Sequence, residues 1–181
     1  MYERPHLRPR AMAVDCVLEA VGALALAATI AYIALTWSEL PATLPTHFDI
    51  AGRPNAWGSR ASILFLPCVT LVLYAGLGIL QRFPWVYNYA VAIGPDNAEA
   101  QYRLAIRLLR ALKTVLAATF GWIDYATIRA AVAATGGQDK ADGVGLGPFM
   151  LPAFLAIMAL VVISFVVASI RHPSREDKDT R

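Results

Sequence analysis

Long runs without charge constrain this chain more than any other feature. Residues 61–81 contain no charged side chain, and neither do residues 143–170. A helix of about 20 apolar residues crosses the roughly 30 Å of hydrocarbon in a bilayer. Of all residues, 57% are hydrophobic and only 16% are charged, whereas a soluble domain has about 25% charged residues. We therefore expect lipid, and not water, to be the solvent for most of these side chains.

The predicted fold class is an all-α membrane protein, a bundle of four transmembrane helices in which residues 1–181 form a single integral membrane domain. The predicted spans are residues 14–37, 61–81, 114–136 and 148–170. The third span is the least apolar because it carries Asp124 and Arg129. It is retained because the two halves of the chain would otherwise have inconsistent orientations.

Lysine and arginine are distributed unevenly about these spans. With four crossings, most of the 16 basic residues fall on one side: Arg4, Arg8, Arg10, Arg82, Arg103, Arg107, Arg110, Lys113, Arg171, Arg175, Lys178 and Arg181. Basic residues stay on the cytoplasmic side of a membrane. We expect both termini to lie in the cytoplasm. Basic residues at span edges, rather than on a polar domain, predict no nucleic acid partner.

A basic face precedes the third span. Its members are Arg103, Arg107, Arg110 and Lys113. They lie on a helix whose predicted start is Asp96, which forms a capping box with Glu99. Anionic lipid headgroups are the predicted partner of this face, and a cytoplasmic protein is the alternative. Asp15 and Glu19, one helical turn apart, are expected to form ion pairs opposite it.

Two alanine series predict close helix packing. They are Ala23, Ala27 and Ala31 in the first span, and Ala126, Ala130 and Ala134 in the third. Small residues at four-residue spacing let helix backbones approach each other closely in membranes. We therefore expect these two spans to pack together inside the bundle.

The connection between the first two spans predicts a short extracytoplasmic cap loop. Thr46, Phe48 and Ile50 alternate with His47 and Asp49, which is the pattern of a short strand, and Gly52 marks a turn. We expect Phe48, Ile50 and Trp57 to lie on the helix bundle at the membrane interface, where tryptophan is favoured.

The candidate binding residues of this cap are His47, Phe48, Asp49, Gly52, Pro54 and Trp57. A carboxylate beside an imidazole favours the charged imidazolium, so His47 and Asp49 are either a ligand-binding, pH-responsive pair or residues that maintain the loop's shape. A metal would need a third ligand, for which Glu39 is the nearest acid in sequence. The sequence predicts no metal site and no cofactor.

Asp124 and Arg129 are the candidate polar residues within the membrane. A charge at the centre of a span costs about 2.5 to 3.5 kcal/mol, so we expect Asp124 to face the bundle interior and to be paired, hydrated or protonated. Arg129 is one candidate partner, and Tyr32 or Thr29 of the first span are others. A structural polar contact and a role in ligand or proton passage both stay open.

The cap residues also carry a family resemblance. Leu-Pro, Leu-Pro-Thr-His-Phe, Gly-x-Pro and Trp-Gly-Ser followed by a basic residue resemble the N-terminal module of bacterial membrane proteins called domain of unknown function 1648. That module is shared with SdpI-like toxin-immunity proteins. The resemblance is strongest over residues 37–67, and Asn55 and Arg60 stand where relatives often carry aspartate and lysine. It implies a bacterial cytoplasmic (inner) membrane protein with an immunity or signalling role.

These patterns together predict a binding protein rather than an enzyme. No nucleophile motif, phosphate-binding loop or zinc signature occurs in the sequence, so no residue is predicted to be catalytic, and a membrane-surface enzyme is the third hypothesis. We expect the cap to engage a peptide, a toxin or another envelope component. The alternative is a small transporter, or a transporter subunit, that uses Asp124 within the bundle.

Overall fold

The structure is a computed structural model that describes residues 4–136 and 144–173. Its elements are α1 (Ala13–Thr36), β1 (Thr43–Phe48), β2 (Pro54–Ser59), α2 (Phe65–Leu80), α3 (Ala98–Thr135) and α4 (Met150–Ile170). Short 3-10 turns lie at Trp37–Glu39, Arg60–Leu64 and Pro84–Val86. Four basic residues used to predict the orientation lie outside the described residues, namely Lys140, Arg175, Lys178 and Arg181.

Three helices in the described part of the chain are long and apolar enough to cross a membrane: Ala13–Glu39, Arg60–Leu80 and Met150–Ile170. They coincide with three of the four predicted spans. The remaining predicted span, residues 114–136, is helical as part of α3 but falls short in apolarity. The fold therefore differs from the predicted all-α bundle of four spans in two ways. The helix α3 is too polar to count as a candidate span, and a two-stranded sheet is present.

The central position of α3 explains its polarity. This helix contacts α1, α2, α4 and β1, so many of its side chains face protein rather than the surroundings. The three apolar helices instead present large exposed side chains such as Leu24, Val72 and Leu160. At 1.5 Å per residue, the 38 residues of α3 extend over roughly 57 Å. It is therefore long enough to run through the whole bundle and beyond it.

The contact between α1 and α3 depends on glycine and not on the alanine series of α1. Ala23, Ala27 and Ala31 are exposed, so that half of the predicted seam is wrong. A side chain at Gly22 would meet the Thr114 hydroxyl at 2.9 Å, and one at Gly121 would collide with the Thr29 hydroxyl.

The rotation of α1 about its own axis explains why its alanines are exposed. The helix buries Gly22, Leu26 and Ile33, and the alanines lie on the neighbouring face. On α3, Ala126 and Ala130 are buried as predicted. The helix pair was therefore predicted correctly, but the face of α1 was not.

One end of the bundle, here called the terminal end, collects the described ends of the chain. Arg4 donates hydrogen bonds to the carbonyls of Trp85 and Tyr87, at 3.1 and 2.6 Å. The amide of Gln101 donates to the carbonyls of Ser169 and His172, at 2.8 Å each. These bonds hold the N-terminal segment, the start of α3 and the end of α4 together.

The start of α3 lies slightly later than predicted. The helix begins at Ala98 with Asn97 in the N-cap position, one residue beyond Asp96. The carboxylate of Glu99 pairs with Arg103 one turn along, so the predicted capping box is not the arrangement seen. The side chain of Asn97 instead organises the preceding turn, accepting from the Gly94 N–H and donating to the Ala92 carbonyl.

At the opposite end, here called the hairpin end, β1 and β2 form an antiparallel hairpin. Leu44 pairs with Gly58 and Pro45 with Trp57, and irregular register follows on either side of His47. The side chain of Leu44 is 0% exposed. It packs in a core cluster with Ile33, Leu40, Ile63, Ile128 and Ala131.

The prediction of which side chains pack the cap against the bundle is therefore only partly correct. Ile50 is 90% exposed because it lies in the turn between the strands, and Trp57 is also exposed. Phe48 is partly buried. Leu44 fastens the hairpin instead, because the strand register turns its side chain toward α1 and α3.

Candidate functional site

The hairpin turn is built by two of the predicted cap residues. Asp49 accepts hydrogen bonds from the Arg53 N–H at 2.8 Å and from Arg53 Nε at 3.2 Å. The pKa of Asp49 lies below its usual 3.8, first because of the backbone bond from Arg53 and then because of its guanidinium. Gly52 has a φ of +76° and its carbonyl accepts from Leu146 N at 2.9 Å. These contacts form the tip of the hairpin and dock residues 144–147 against it.

The predicted pair of His47 and Asp49 is not formed. Nδ1 of His47 donates to Oδ1 of Asn55 on the facing strand, at 2.6 Å, whereas Asp49 binds Arg53. The short strand has bulges beside His47, so alternation does not bring the two side chains together. Within residues 4–136 and 144–173, no three His, Cys, Asp or Glu side chains are grouped as metal ligands would be.

A cavity of about 310 Å³ lies beneath the hairpin, between β1, the start of α2 and the C-terminal third of α3. We call it the hairpin cavity. Its lining consists of Pro45, Thr46, Phe48, Ser62, Ile63, Phe65, Leu66, Ile123, Asp124 and Thr127. Thr46 and Phe65 are exposed, so the cavity has an open rim. Apolar side chains therefore surround a small set of polar groups, as they do in binding sites for small ligands.

Asp124 supplies the one carboxylate in this lining. Its side chain is only 2% exposed. Among the described residues, Oδ2 of Asp124 has no hydrogen-bond partner. Buried polar atoms are usually hydrogen-bonded, because an unpaired one costs about 1 to 3 kcal/mol. A buried carboxylate that has an unpaired oxygen and belongs to a lining residue of a cavity is therefore the clearest mark of a site in the described part of the chain.

Arg129 does not pair with Asp124. It is exposed and donates a hydrogen bond to the Tyr125 hydroxyl at 3.2 Å, and the Tyr125 ring packs against Tyr32. Thr29 donates to its own helix, at the Ala25 carbonyl. The partners expected for Asp124 thus bond elsewhere, since a separation of five residues points Arg129 to a different side of α3.

The structure brings together two candidate sites that were separate in the sequence. Phe48 of the cap and Asp124 of α3 line the same cavity, although 76 residues separate them. His47, Asp49, Gly52, Pro54 and Trp57 belong to the hairpin above it and are not among its lining residues. Their contacts shape the roof of the cavity.

The predicted basic face forms a second polar feature, the inner ion-pair cluster, whose members are Asp15, Glu19, Arg107, Arg110 and Lys113. Nε of Arg107 lies 2.9 Å from Oδ1 of Asp15, and Nη1 of Arg110 lies 3.5 Å from the same oxygen. Nε of Arg110 lies 3.5 Å from Oε2 of Glu19. The prediction that Asp15 and Glu19 pair with this face is confirmed.

Lys113 is the most enclosed cation of the inner ion-pair cluster. Only 2% of its side chain is exposed. Its ammonium binds Glu19 and lies 4.1 Å from the centre of the Tyr74 ring. Three of the four predicted basic residues thus point toward α1 rather than outward, and Arg103 pairs with Glu99 instead. This arrangement differs from a face open to lipid headgroups, because the helix rotation that buries Lys113 also directs Arg107 and Arg110 to α1.

Several residues of the hairpin cavity were missed in the sequence. Thr46, Ser62 and Thr127 place hydroxyl-bearing side chains in its lining beside Asp124. They occur on three different elements, and isolated threonines and serines carry no recognisable spacing. The signal that pointed to the site was the charge of Asp124 within an otherwise mostly apolar stretch.

Comparison with known families identifies the segment that carries the hairpin. Residues 24–71 match the family described as "Domain of unknown function (DUF1648)". The matched segment runs from within α1, through both strands, into α2. The predicted resemblance to this family is therefore confirmed over these residues, and the relation to SdpI-like immunity proteins stays a prediction.

One relative extends the similarity beyond that segment. It is described as "Uncharacterized protein" from Archaeoglobus fulgidus and is 30% identical over 113 residues, which cover 55% of this chain and 62% of the relative. The chain thus spans less than two thirds of that relative's length. No solved structure matches the chain.

Proposed function

We propose that this chain is a membrane protein with four crossing helices that binds a peptide or another envelope component in the hairpin cavity, and that it has no catalytic activity. The single observation that carries this proposal is the buried side chain of Asp124, which lines the open-rimmed hairpin cavity and has one carboxylate oxygen without a hydrogen-bond partner among the described residues. The segment that matches the domain family, residues 24–71, includes the strands above that cavity, and we propose an immunity or signalling role for it.

The proposed orientation places the hairpin outside the cell. The described basic residues of the terminal end are Arg4, Arg8, Arg10, Arg82, Arg103, Arg107, Arg110, Lys113 and Arg171. The hairpin itself carries Arg53, with Arg60 directly after it. Positive charge is retained on the cytoplasmic side, which puts the termini inside and the cavity rim at the outer surface.

The proposal treats α3 as the fourth crossing helix. Hydropathy alone does not support this, since α3 carries the inner ion-pair cluster and Asp124. Charged residues in membrane helices face the bundle interior and pair there. Asp124 and Lys113 are both buried within the bundle, as this rule requires of a crossing helix that is surrounded by three others.

A protection assay in the native host tests the proposed function. Deleting the gene should sensitise cells to peptides that the culture secretes, and the wild-type gene should restore survival. Thr46→Trp, which fills the cavity from β1, should fail to restore it. Glu99→Gln, a change at an exposed ion pair of the terminal end, is the matched control and should protect fully.

Membrane levels of each variant are measured by immunoblot, so that loss of protein is separated from loss of function. If the filled-cavity variant protects cells as well as the control does, the cavity is not the binding site and the proposal fails.

Transport is the second candidate function, and the position of Asp124 near the middle of the predicted span of residues 114–136 favours it. A carboxylate at that depth is typical of proton and ion pathways. The test is flux of protons and of small cations into proteoliposomes that contain the purified chain. Flux that Asp124→Asn removes would establish transport, and its absence from the wild type would eliminate it.

A further inference from the structure

We infer that the hairpin cavity binds a primary ammonium group on a short alkyl chain, with the Asp124 carboxylate as its counter-ion. This inference rests on the proposed binding function and adds the chemical class of the ligand. A lysine side chain of a peptide and an ethanolamine lipid headgroup both present this group.

The charge of the cavity lining favours a cationic ligand. The cavity lining contains Asp124 and no basic residue. Arg129 is exposed and directed to Tyr125, and Lys113 lies three turns earlier on α3, bound to Glu19. No cation of the described chain therefore neutralises Asp124. Ionisable side chains in membrane helices face the bundle interior or a water-filled cavity and pair there, and a positively charged ligand group would supply the partner that Asp124 lacks.

Size and lining distinguish an organic cation from a metal ion. Liquid water occupies about 30 Å³ per molecule, so a cavity of about 310 Å³ has room for a small organic molecule. Calcium takes six to eight oxygen ligands, whereas only one carboxylate is present here. Six of the ten lining residues are apolar (Pro45, Phe48, Ile63, Phe65, Leu66 and Ile123). These side chains would surround an alkyl chain.

The polar groups of the lining match the donors of an ammonium. A primary ammonium has three N–H donors and no acceptor. Asp124 offers a carboxylate, and Thr46, Ser62 and Thr127 bring hydroxyl oxygens from β1, the turn before α2, and α3. The aromatic rings of Phe48 and Phe65 also line the cavity, and ring faces attract cations. A quaternary ammonium fits this set less well, since it has no N–H donor.

Calorimetric titration of the purified full chain in detergent tests the inference. The probes are n-butylammonium and its neutral analogue n-butanol. Wild type should bind n-butylammonium saturably and n-butanol not at all, and Asp124→Asn should weaken ammonium binding at least tenfold. Glu99→Gln should bind as wild type does, which controls for the loss of a carboxylate outside the cavity, and the heat that remains with Asp124→Asn measures partition of the amine into micelles. Ser62→Ala, a smaller change, should weaken binding a few-fold.

Further arms identify the source of the ammonium. Two compounds are tested for displacement of n-butylammonium. Displacement by Nα-acetyl-lysine methylamide would indicate a lysine side chain, and displacement by lysophosphatidylethanolamine would indicate a lipid headgroup. Sodium chloride and choline chloride are compared at the same ionic strength. Displacement of n-butylammonium by sodium chloride but not by choline chloride would overturn the inference in favour of a metal ion. Equal binding by wild type and Asp124→Asn, or no saturable binding by wild type, would also overturn it.

The outcome is separable from that of the proposed function. If cells lose protection with Thr46→Trp but the wild type binds no amine, the binding function stands and the ligand class is wrong. If the amine binds but no variant affects protection, the site is real and the proposed function is wrong.

Discussion

At the residue scale, two side chains determine whether the hairpin cavity exists and what it can hold. Leu44 fastens β1 to the helices, and Asp124 supplies the charge beneath it. The first is satisfied by its apolar surroundings, whereas the second has a carboxylate oxygen without a partner in the described structure. Substitution at these two positions is therefore expected to have opposite effects on stability.

Leu44→Ala is expected to destabilise the protein by about 2 to 5 kcal/mol, because it removes a fully buried side chain and leaves a cavity. Ile50→Ala, in the same hairpin but 90% exposed, should change stability by less than about 0.5 kcal/mol. Denaturation in detergent, followed by circular dichroism, measures both. Equal effects of the two substitutions would contradict the role given to Leu44.

Asp124→Leu is expected to raise the melting temperature while removing the proposed amine binding. Replacing a buried carboxylate with an unpaired oxygen by an apolar group of similar size removes a cost of about 1 to 3 kcal/mol. Functional residues are often retained at a cost in stability. A lower melting temperature for Asp124→Leu would instead show that Asp124 makes a stabilising contact.

At the element scale, α3 is held by two kinds of contact along its length. Near the terminal end, the inner ion-pair cluster joins α3 to α1. Further along α3, Gly121 allows a close approach to Thr29 of α1. The first contact is electrostatic and the second is steric. Each predicts a different response to substitution.

Gly121→Ala should destabilise the α1–α3 contact by about 1 to 3 kcal/mol, because the added methyl group collides with the Thr29 hydroxyl. The double variant Gly121→Ala with Thr29→Ala should recover part of that loss. Gly76→Ala is the matched control, since nothing lies within 4 Å of the added atom. Thermal melts in detergent measure the series, and a neutral Gly121→Ala would rule out the close approach.

Asp15→Ala should destabilise the protein by about 1 to 3 kcal/mol, because it leaves the partly buried Arg107 and Arg110 without their shared carboxylate. Glu99→Ala, which breaks an exposed ion pair with Arg103, should cost less than about 1 kcal/mol. Chemical denaturation compares the two. Similar small losses would show that water or lipid headgroups replace the Asp15 carboxylate.

At the scale of the whole molecule, the described ends of the chain meet at the terminal end and the hairpin lies at the other. The bonds of Arg4 to Trp85 and of Gln101 to Ser169 place these segments together. An even number of crossings follows only if α3 crosses the bilayer with the three apolar helices. Whole-molecule topology therefore tests the assignment of α3.

A fluorescent reporter fused after Arg181 should fluoresce in the cytoplasm, and alkaline phosphatase inserted at Ile50 should be active outside the inner membrane. The expectation follows from retention of basic residues in the cytoplasm. A C-terminal reporter outside the membrane, with the N-terminus still inside, would mean that α3 does not cross.

Much of the architecture follows directly from the order of residues. The lengths of the apolar runs determined three spanning helices to within two residues of their ends, because crossing a bilayer is a matter of length and polarity along one dimension. The matching family segment could be recognised for a similar reason, since its prolines, glycine and aromatic residues are adjacent in the chain. The ion pairs of Asp15 and Glu19 with α3 followed from opposite charges at corresponding depths.

Tertiary structure decided the remaining features. Which face of α1 meets α3, whether Lys113 points inward, and whether His47 meets Asp49 or Asn55 depend on helix rotation and strand register, which packing sets over many residues at once. The hairpin cavity unites Thr46, Ser62 and Asp124 only because β1 folds back over α3. Apolar run lengths thus determine which helices can cross the bilayer, whereas the cavity exists because three separate elements pack around a carboxylate.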